Sequence, residues 1–322
     1  MEKKGFTLIE IMAVMVVLGL LIAIIVPVVS NLLKDSEDTL HDEQIDLVVK
    51  ASQKYMIENS NLLPEGSDYS AVYIDDLINS GVIDNDSVID PKTKEELDGC
   101  VVVNYNENFN QYEYNYRDGC SINITFDPEG GSVDTTSKEV MIGKTYGELP
   151  EPTRDGYTFK GWRGKNMFDE ETILMAIDGA TKENGYYVFD VDKAYLEYKD
   201  GISTLDFKED SQYVMTIKGY AIPNVAERVG YRIKFEYTDG TTSSEPLSSK
   251  TETILIYSSS DDKAVNYISM NYGYKGKIYL SYVQLEKGDT ATPFEPYQEF
   301  TSDTIVNKSS DYTLHAIWEV AS

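Results

Sequence analysis

A long apolar run near the N-terminus constrains this chain more than any other feature. Residues 6–29 read FTLIEIMAVMVVLGLLIAIIVPVV and hold a single charge, at Glu10. A run of about 24 residues is long enough to cross a bilayer as a helix. A charge inside such a segment costs at least ~2.5 kcal/mol, so a chain keeps it only where something else requires it.

Two common explanations of such a run fit poorly. A secretory signal peptide is disfavoured because the run is longer than the usual signal core and no small-x-small cleavage site follows it. An ordinary single-span anchor has no use for a buried Glu10. In a membrane, the preceding Lys3 and Lys4 would lie on the cytoplasmic side.

The helix is expected to outlast the apolar run. Apolar residues recur at spacings of seven and four on an otherwise charged segment, which predicts an amphipathic helix to about residue 58. The members of this stripe are Leu33, Leu40, Leu47, Ala51 and Tyr55. Asn61 and Pro64 are expected to end the helix.

The string GFTLIE after a short Lys-containing leader resembles the type IV prepilin signature. The resemblance implies that a membrane-embedded prepilin peptidase cuts after Gly5 and methylates the new N-terminal amine of Phe6. It also implies that Glu10 pairs with the N-terminal ammonium of a neighbouring subunit, which offsets the cost of burying either charge alone. Gly19 and Pro27 fall where the helix of that family loosens inside the filament, as their poor helix propensities allow.

Charge and composition exclude several classes of function. The chain has 28 Lys+Arg against 55 Asp+Glu and a net charge of −27, so it repels phosphate backbones and nucleic acid is not expected as a partner. The two histidines, His41 and His315, lie in unrelated segments. Cys100 and Cys120 form no CxxC motif and have no histidine nearby, which argues against zinc. We expect no enzyme activity, no cofactor and no metal.

Residues 61–120 read as a short helix, a loop and two strands, VVVNY and QYEYNY. This order resembles the α-then-β head of small pilins. Such heads have a modest core, and surface filaments lie in an oxidising environment. The resemblance therefore predicts a Cys100–Cys120 disulfide, which would contribute ~3 kcal/mol to stability. Two free buried thiols are the alternative. Asp84, Asp86 and Asp90 could ligate calcium, but their spacing does not match an EF-hand loop, and a solvated acidic loop is favoured.

The stretch after Cys120 resembles the Listeria–Bacteroides repeat, a small β-grasp-like module. The matching strings are FDPEGG, GKTYGELPEPTRDGYTFKGW and a closing strand YTLHAIWE, which begins roughly 150 residues after Trp162. The spacing indicates an insertion in a surface loop, so the module is expected to comprise residues 121–163 and 299–322. His315 then lies in a strand beside Trp318, with a structural role.

The inserted residues 164–298 carry many short β-rich runs separated by turn signals, which predicts a β-sandwich. KNMFDEET and YLSYVQLEKGDTATPFEPY resemble jelly-roll modules of phage tail fibres and carbohydrate-binding proteins. That resemblance implies glycan binding through aromatic rings, and tyrosine suits such contacts. The alternative is that the tyrosines fill or coat the sandwich, so no binding residue is chosen. The tyrosines in question are Tyr220, Tyr231, Tyr237, Tyr267, Tyr272, Tyr274, Tyr279 and Tyr282.

Together these features predict an α+β chain. It has a leader (1–5), a pilin helix (6–60, with 6–29 in the membrane or filament core), a head (61–120), and a β-grasp-like module that carries a jelly-roll insertion. The predicted function is a type IV pilus subunit that moves from the cytoplasmic membrane to an extracellular pilus. Its partners would be other pilins, prepilin peptidase and assembly machinery, and glycans or cell-surface receptors. A pseudopilin of a secretion or DNA-uptake system is the alternative, and an enzyme carried on a pilus is disfavoured.

Overall fold

The structure is a computed structural model that describes residues 8–177, 179–191, 195–198, 207, 211–223, 230–247, 251–273 and 276–321. The chain forms two compact units. The first contains the residues up to Ile122 together with Met141–Lys144 and Ile305–Ser309. The second contains Asn123–Val140, Thr145–Thr304 and the residues from Ser310 onward.

After one long N-terminal helix, the described part of the chain consists mainly of β-strands, with two short α-helices between them. In chain order they are α1 (Leu8–Glu58), β1 (Tyr69–Tyr73), α2 (Ile74–Asn79), β2 (Cys100–Asn106), β3 (Gln111–Arg117), β4 (Ser121–Asp127), β5 (Ser137–Met141), β6 (Tyr157–Arg163), α3 (Glu170–Met175), β7 (Thr181–Glu183), β8 (Tyr186–Val191), β9 (Tyr195–Tyr198), β10 (Tyr213–Pro223), β11 (Gly230–Tyr237), β12 (Thr242–Leu247), β13 (Thr253–Ser258), β14 (Val265–Gly273), β15 (Gly276–Lys287), β16 (Glu299–Phe300) and β17 (Tyr312–Val320). The predicted fold class is confirmed, since one long helix precedes mostly β-sheet modules.

Helix α1 is 51 residues long, which corresponds to ~77 Å at about 1.5 Å per residue. Only its C-terminal part packs on the head, through Val48, Ala51 and Met56, which are all buried. The predicted apolar stripe is therefore wrong in its first three members. Leu33, Leu40 and Leu47 are exposed. Leu33 lies N-terminal to Glu37 and Asp38, which pair with lysines of the head, whereas Leu40 and Leu47 lie on a side of the helix that the head does not cover.

The head is an antiparallel sheet of order β1-β2-β3 packed against α1 and α2. Its core includes Leu77 of α2 and Val101 of β2, both fully buried. Two short return segments complete this unit. The backbone N–H of Tyr69 on β1 donates to the carbonyl of Asn307 at 3.0 Å, and the Tyr73 hydroxyl donates to the Ile142 carbonyl at 2.7 Å. The edge of β1 therefore gains its partners from residues far along the chain.

A second sheet, of order β16-β6-β17-β4-β5, forms the repeat module. Strand β17 pairs in parallel with β4, where Tyr312 lies opposite Ile124, and antiparallel with β6, where Ala316 lies opposite Trp162. The closing strand thus occupies the centre of the sheet although it follows β6 by about 150 residues. The domain boundaries proposed from the sequence stay predictions.

The residues between β6 and β16 form a β-sandwich. A five-stranded sheet of order β13-β10-β15-β8-β7 faces a four-stranded sheet of order β12-β11-β14-β9. Met215 and Leu285 of the first sheet share one buried cluster with Phe235 and Ile268 of the second. All strand pairs in both sheets are antiparallel.

The buried side chain of Asn166 links the first and last segments of the sandwich through hydrogen bonds. The Asn166 amide donates to the carbonyls of Val283 (3.3 Å) and Glu295 (3.1 Å), and its oxygen accepts from the N–H groups of Phe168 and Leu285 (both 3.0 Å). This side chain is 1% exposed, and it meets the requirement that a buried amide be fully hydrogen-bonded. The KNMF and VQLEKG strings are therefore in direct contact through Asn166.

Candidate functional site

The N-terminal part of α1 is an apolar surface that none of the described residues covers. Leu8 and Ile9 are 79% and 75% exposed, and large apolar side chains remain exposed along the helix to Leu33. Among the described residues, this is the one helix long and apolar enough to cross a membrane. Such a surface requires lipid or other helices around it, because its exposure to water is unfavourable.

The residues predicted for processing and assembly fall in or before this helix. Gly5 and Phe6 lie outside the described residues, and Glu10 lies within α1 with a side chain outside the description. Gly19 has no neighbouring atom within 4 Å of an added Cβ, and Pro27 lies inside the helix without ending it. Their roles in assembly stay predictions.

The predicted disulfide is present. Cys100 at the start of β2 and Cys120 just before β4 are bonded, with their Cα atoms 5.9 Å apart. Both residues are buried, and neither exists as a free thiol. The bond therefore links the start of β2 in the head to the residue that precedes β4, the first strand of the repeat module.

The acidic loop of the head is held against α1. Asp90 accepts from the backbone N–H of Lys92 at 2.8 Å and lies 3.2 Å from Nδ1 of His41. Burial alone would raise the pKa of Asp90, but these two hydrogen bonds lower it. Lys92 also pairs with Asp38 of α1 at 2.9 Å. In the described part of the chain, Asp84, Asp86 and Asp90 do not form a group with metal-binding spacing.

A second polar cluster lies where the chain leaves the repeat module for the sandwich. Glu129 Oε1 is 3.0 Å from His315 Nδ1 and 3.4 Å from an Arg163 nitrogen, and Glu129 Oε2 is 3.9 Å from Lys287. Asp127 lies 3.5 Å from the same histidine nitrogen. We call Asp127, Glu129, Arg163, Lys287 and His315 the joint network. Arg163 and Glu129 are both nearly inaccessible.

The joint network has ligand atoms that could approach a metal ion, because one atom each of Asp127, Glu129 and His315 lie within 4.8 Å of one another. The charges do not favour this use. Arg163 and Lys287 already supply two positive charges to the two carboxylates, and Glu129 Oε1 is shared between Arg163 and His315. A divalent cation here would face a buried guanidinium, so we interpret the network as structural.

The protonation states in this network depend on one another. Burial lowers the pKa of His315, but hydrogen bonds to Asp127 and Glu129 outweigh burial and raise it above 6.5. The hydrogen bond from His315 lowers the pKa of Asp127 to about 2. Burial raises the pKa of Glu129, whereas His315 and the Arg163 charge lower it more. The charged forms of all three groups are therefore stabilised by folding.

These shifts predict a stability optimum for the repeat module between about pH 4.5 and 6.5. The histidine contribution is complete below pH 6.5, and it is lost as pH rises through the raised pKa. The carboxylate contribution is complete above pH 4.5, and it is lost as pH falls through the lowered pKa values. Tryptophan fluorescence during urea unfolding, repeated across pH, measures this profile. In His315→Gln the loss on the alkaline side should disappear, and the loss on the acid side should shrink because His315 also lowers the pKa values of Asp127 and Glu129; an unchanged alkaline loss would contradict the assignment.

Aromatic residues collect on the outer surface of the five-stranded sheet. Tyr220 of β10 and Tyr279 of β15 lie opposite each other, with ring centroids 4.6 Å apart and an interplanar angle of 4°. Tyr186 of β8 contacts both rings edge-on. Its hydroxyl donates to Glu252 at 2.9 Å, and Lys218 pairs with the same carboxylate at 3.4 Å. We call these five residues the tyrosine face.

The segment after β15 folds over the same side of the sheet. Thr292 donates to Glu286 at 2.7 Å and Glu295 N–H donates to the Gln284 side chain at 2.7 Å. These bonds place Phe294 parallel to Tyr282, with centroids 4.1 Å apart. Gln284 and Glu286 are buried beneath the segment. The polar residues of the QLEKGDTATPFE string therefore hold this segment against the sheet by hydrogen bonds.

The tyrosines named from the sequence have different fates. Tyr220, Tyr279 and Tyr282 lie on the outer sheet surface, whereas Tyr237 is buried. Tyr274 and the side chains of Tyr231, Tyr267 and Tyr272 lie outside the described part of the chain. Sequence reasoning missed Tyr186, Glu252 and Phe294, and only the strand register brings them to this surface.

Comparison with protein families identifies two segments. Residues 1–26 match the prokaryotic N-terminal methylation motif, which confirms the prepilin-type signature. Residues 123–176 match the Listeria–Bacteroides repeat domain, which confirms the second resemblance. No curated protein matches the chain.

Several solved structures are similar to part of the chain. They include the family 16 carbohydrate-binding module 2 (9% identity, 31% of this chain and 74% of that chain, TM-score 0.24) and "BiXyn10A CBM1 APO" (12%, 41% and 96%, 0.23). A third is the CBM22-1 xylan-binding domain of Paenibacillus barcinonensis Xyn10C (12%, 46% and 94%, 0.24). Similarity this weak supports no conclusion about a ligand. The chain therefore joins a prokaryotic N-terminal methylation motif and a Listeria–Bacteroides repeat domain on one polypeptide.

Proposed function

We propose that the chain is a type IV pilus subunit that is cut after Gly5, methylated at Phe6 and polymerised through α1. The observation that carries this proposal is the methylation motif at residues 1–26, which includes the first part of an apolar helix that none of the described residues covers. In a filament, the exposed apolar surface of α1 would be buried against the same surface of other subunits. Glu10 would pair with the N-terminal ammonium of a neighbour, which removes the cost of two isolated buried charges.

The remaining modules would project from the filament and act in adhesion, with glycans as the preferred ligand class. The tyrosine face supports this part of the proposal, because it combines aromatic surface with the Glu252 and Lys218 side chains. Sugars are bound in proteins by such pairings of apolar surface with a few polar groups. No catalytic role is proposed.

A pseudopilin of a secretion or DNA-uptake system is the second candidate, and the same methylation motif supports it. The two are distinguished by phenotype, since loss of a pseudopilin abolishes secretion or uptake. The net charge of −27 disfavours direct contact with DNA. The large β modules would also be difficult to place in a short, enclosed filament.

The proposal is tested by the N-terminal mass of the protein recovered from sheared surface filaments. We expect a chain that starts at Phe6 and carries one added methyl group. The same filaments, applied to a glycan array, should bind a defined set of sugars and lose binding in Tyr220→Ala. Lys160→Ala, which lies in the repeat module, is the control. An intact Met1 with no filament association would reject the pilin assignment, and unchanged binding in Tyr220→Ala would reject the tyrosine face.

A further inference from the structure

The edge strands of the sandwich differ in how strongly they resist pairing with another strand. Strand β7 at the opposite end of the five-stranded sheet has only three residues, and β12 at an edge of the four-stranded sheet contains Pro246. Both features discourage pairing with another strand. Strand β13, by contrast, reads TILIYS, with no charge, no proline and no glycine.

The free edge of β13 also exposes large apolar side chains. Ile254 and Ile256 are 55% and 53% exposed, while Leu255 and Tyr257 pack on the sandwich core. Within the described ranges, β13 pairs with β10 on one side and with no strand on the other. An uncharged edge of high β-propensity with exposed isoleucines is a template for addition of a further strand.

We propose that β13 pairs antiparallel with β13 of a second copy of this chain. A two-fold axis at Leu255 places Ile254 opposite Ile256 of the other copy on the outer surface, and places Leu255 opposite its own counterpart on the core side. Opposed β-branched residues stabilise a strand pair, whereas opposed like charges destabilise it. In this register Glu252 lies opposite Ser258, so no carboxylate faces another.

Charge limits where two copies of this chain can meet. Each chain carries a net charge of −27, which opposes contact between most surfaces of two copies. The β13 edge is a stretch where two chains can approach without adding like charges. The pairing extends the outer surface that begins at Ile254 and continues through Lys218 and Tyr220 on β10. This inference does not depend on processing at Gly5 or on glycan binding.

Six residues per copy make a small interface, so the association is expected to be weak and concentration-dependent. Added salt should strengthen it, because salt screens the repulsion between the acidic chains. Sedimentation of the full-length chain in detergent, over a range of concentrations and at two salt concentrations, measures this directly. We expect the mass to rise from one copy toward two copies per micelle as concentration or salt increases.

The double variant Ile254→Lys/Ile256→Lys should stay a single copy at concentrations where the wild-type chain is paired. Ile222→Lys is the matched control, since Ile222 is 46% exposed at the end of β10 and away from the β13 edge; it should pair like the wild type. Circular dichroism checks that each variant is folded. A wild-type chain that stays single throughout overturns the proposal. Equal association of the double variant also overturns it, because contacts through α1 would then explain the pairing.

A disulfide experiment tests the register. An equimolar mixture of Ile254→Cys and Ile256→Cys chains should form linked dimers at least several-fold faster than either variant alone, because these positions face each other across the axis. Equal rates for the mixture and the single variants would reject the antiparallel register centred on Leu255. A chain that stays single while β13 binds a glycan or another protein would reject the second copy as the occupant.

Discussion

Trp162→Ala is expected to destabilise the repeat module by about 3–5 kcal/mol, a large part of the ~5–15 kcal/mol that stabilises a typical domain. Trp162 is 1% exposed, its ring contacts those of Phe126 and Phe159, and its indole N–H donates to the Pro150 carbonyl at 2.8 Å. The substitution removes all of these contacts and leaves a cavity. Urea unfolding of the detergent-solubilised chain measures the loss.

The chain itself provides a selective reporter for this measurement. It contains two tryptophans, Trp162 and Trp318, and both belong to the repeat module. In the variant, the fluorescence of Trp318 alone follows unfolding of that module. Trp162→Phe should lose much less, because an aromatic ring still fills the site. Phe109→Ala should have little effect, because Phe109 is 70% exposed in the head. An unfolding midpoint in Trp162→Ala equal to that of the wild type would contradict the assignment of this residue to the core.

Arg163→Met is expected to cost about 3–5 kcal/mol, as the loss of one partner of a buried ion pair usually does. Arg163 is 7% exposed, lies 3.4 Å from Glu129, and donates to the Gly164 carbonyl at 2.8 Å. Removing the guanidinium leaves the Glu129 carboxylate buried with less compensating charge. Tryptophan fluorescence during urea unfolding reports the change, because Trp162 adjoins the substituted position.

A double variant separates the ion pair from simple packing. Arg163→Met/Glu129→Gln should be less destabilised than the sum of the single variants, because neither charge of this ion pair is left without the other. Lys160→Met is the matched control on the same strand. Its partner Glu319 lies 2.7 Å away, but both side chains are more than half exposed, so the loss should be about 0–1 kcal/mol. Strict additivity in the double variant would show that the charges at this joint are not coupled.

The N-terminal helix and its motif could be predicted because the residues that specify them are contiguous in the sequence. The length of the apolar run, the position of Glu10 and the GFTLIE string all lie within residues 5–29, and a helix satisfies its own backbone hydrogen bonds without distant partners. The motif match at residues 1–26 agrees with that reading. The error in the apolar stripe of α1 arose because a distant element, the head, decides which turns and which side of the helix are covered.

The candidate sites beyond α1 were less predictable because they depend on strand register. Tyr220 and Tyr279 stack because β10 and β15 pair in one particular register, and a slip of one residue would turn either ring toward the core. His315 was correctly placed on a strand beside Trp318. Its partners Asp127 and Glu129, and the Arg163 that pairs with Glu129, are separated from it by more than 150 positions in the chain, so the residues next to His315 do not indicate them.

The sequence by itself determined the apolar helix, the methylation motif, the repeat strings and the β-rich insertion, because each follows from neighbouring residues. The tertiary structure alone decided that β17 lies at the centre of the repeat sheet, that buried charges close its joint with the sandwich, and that β13 is left as an unprotected edge. Those outcomes rest on contacts between residues far apart in the chain. Their free energy depends on burial and pairing in three dimensions, and composition or periodicity does not encode it.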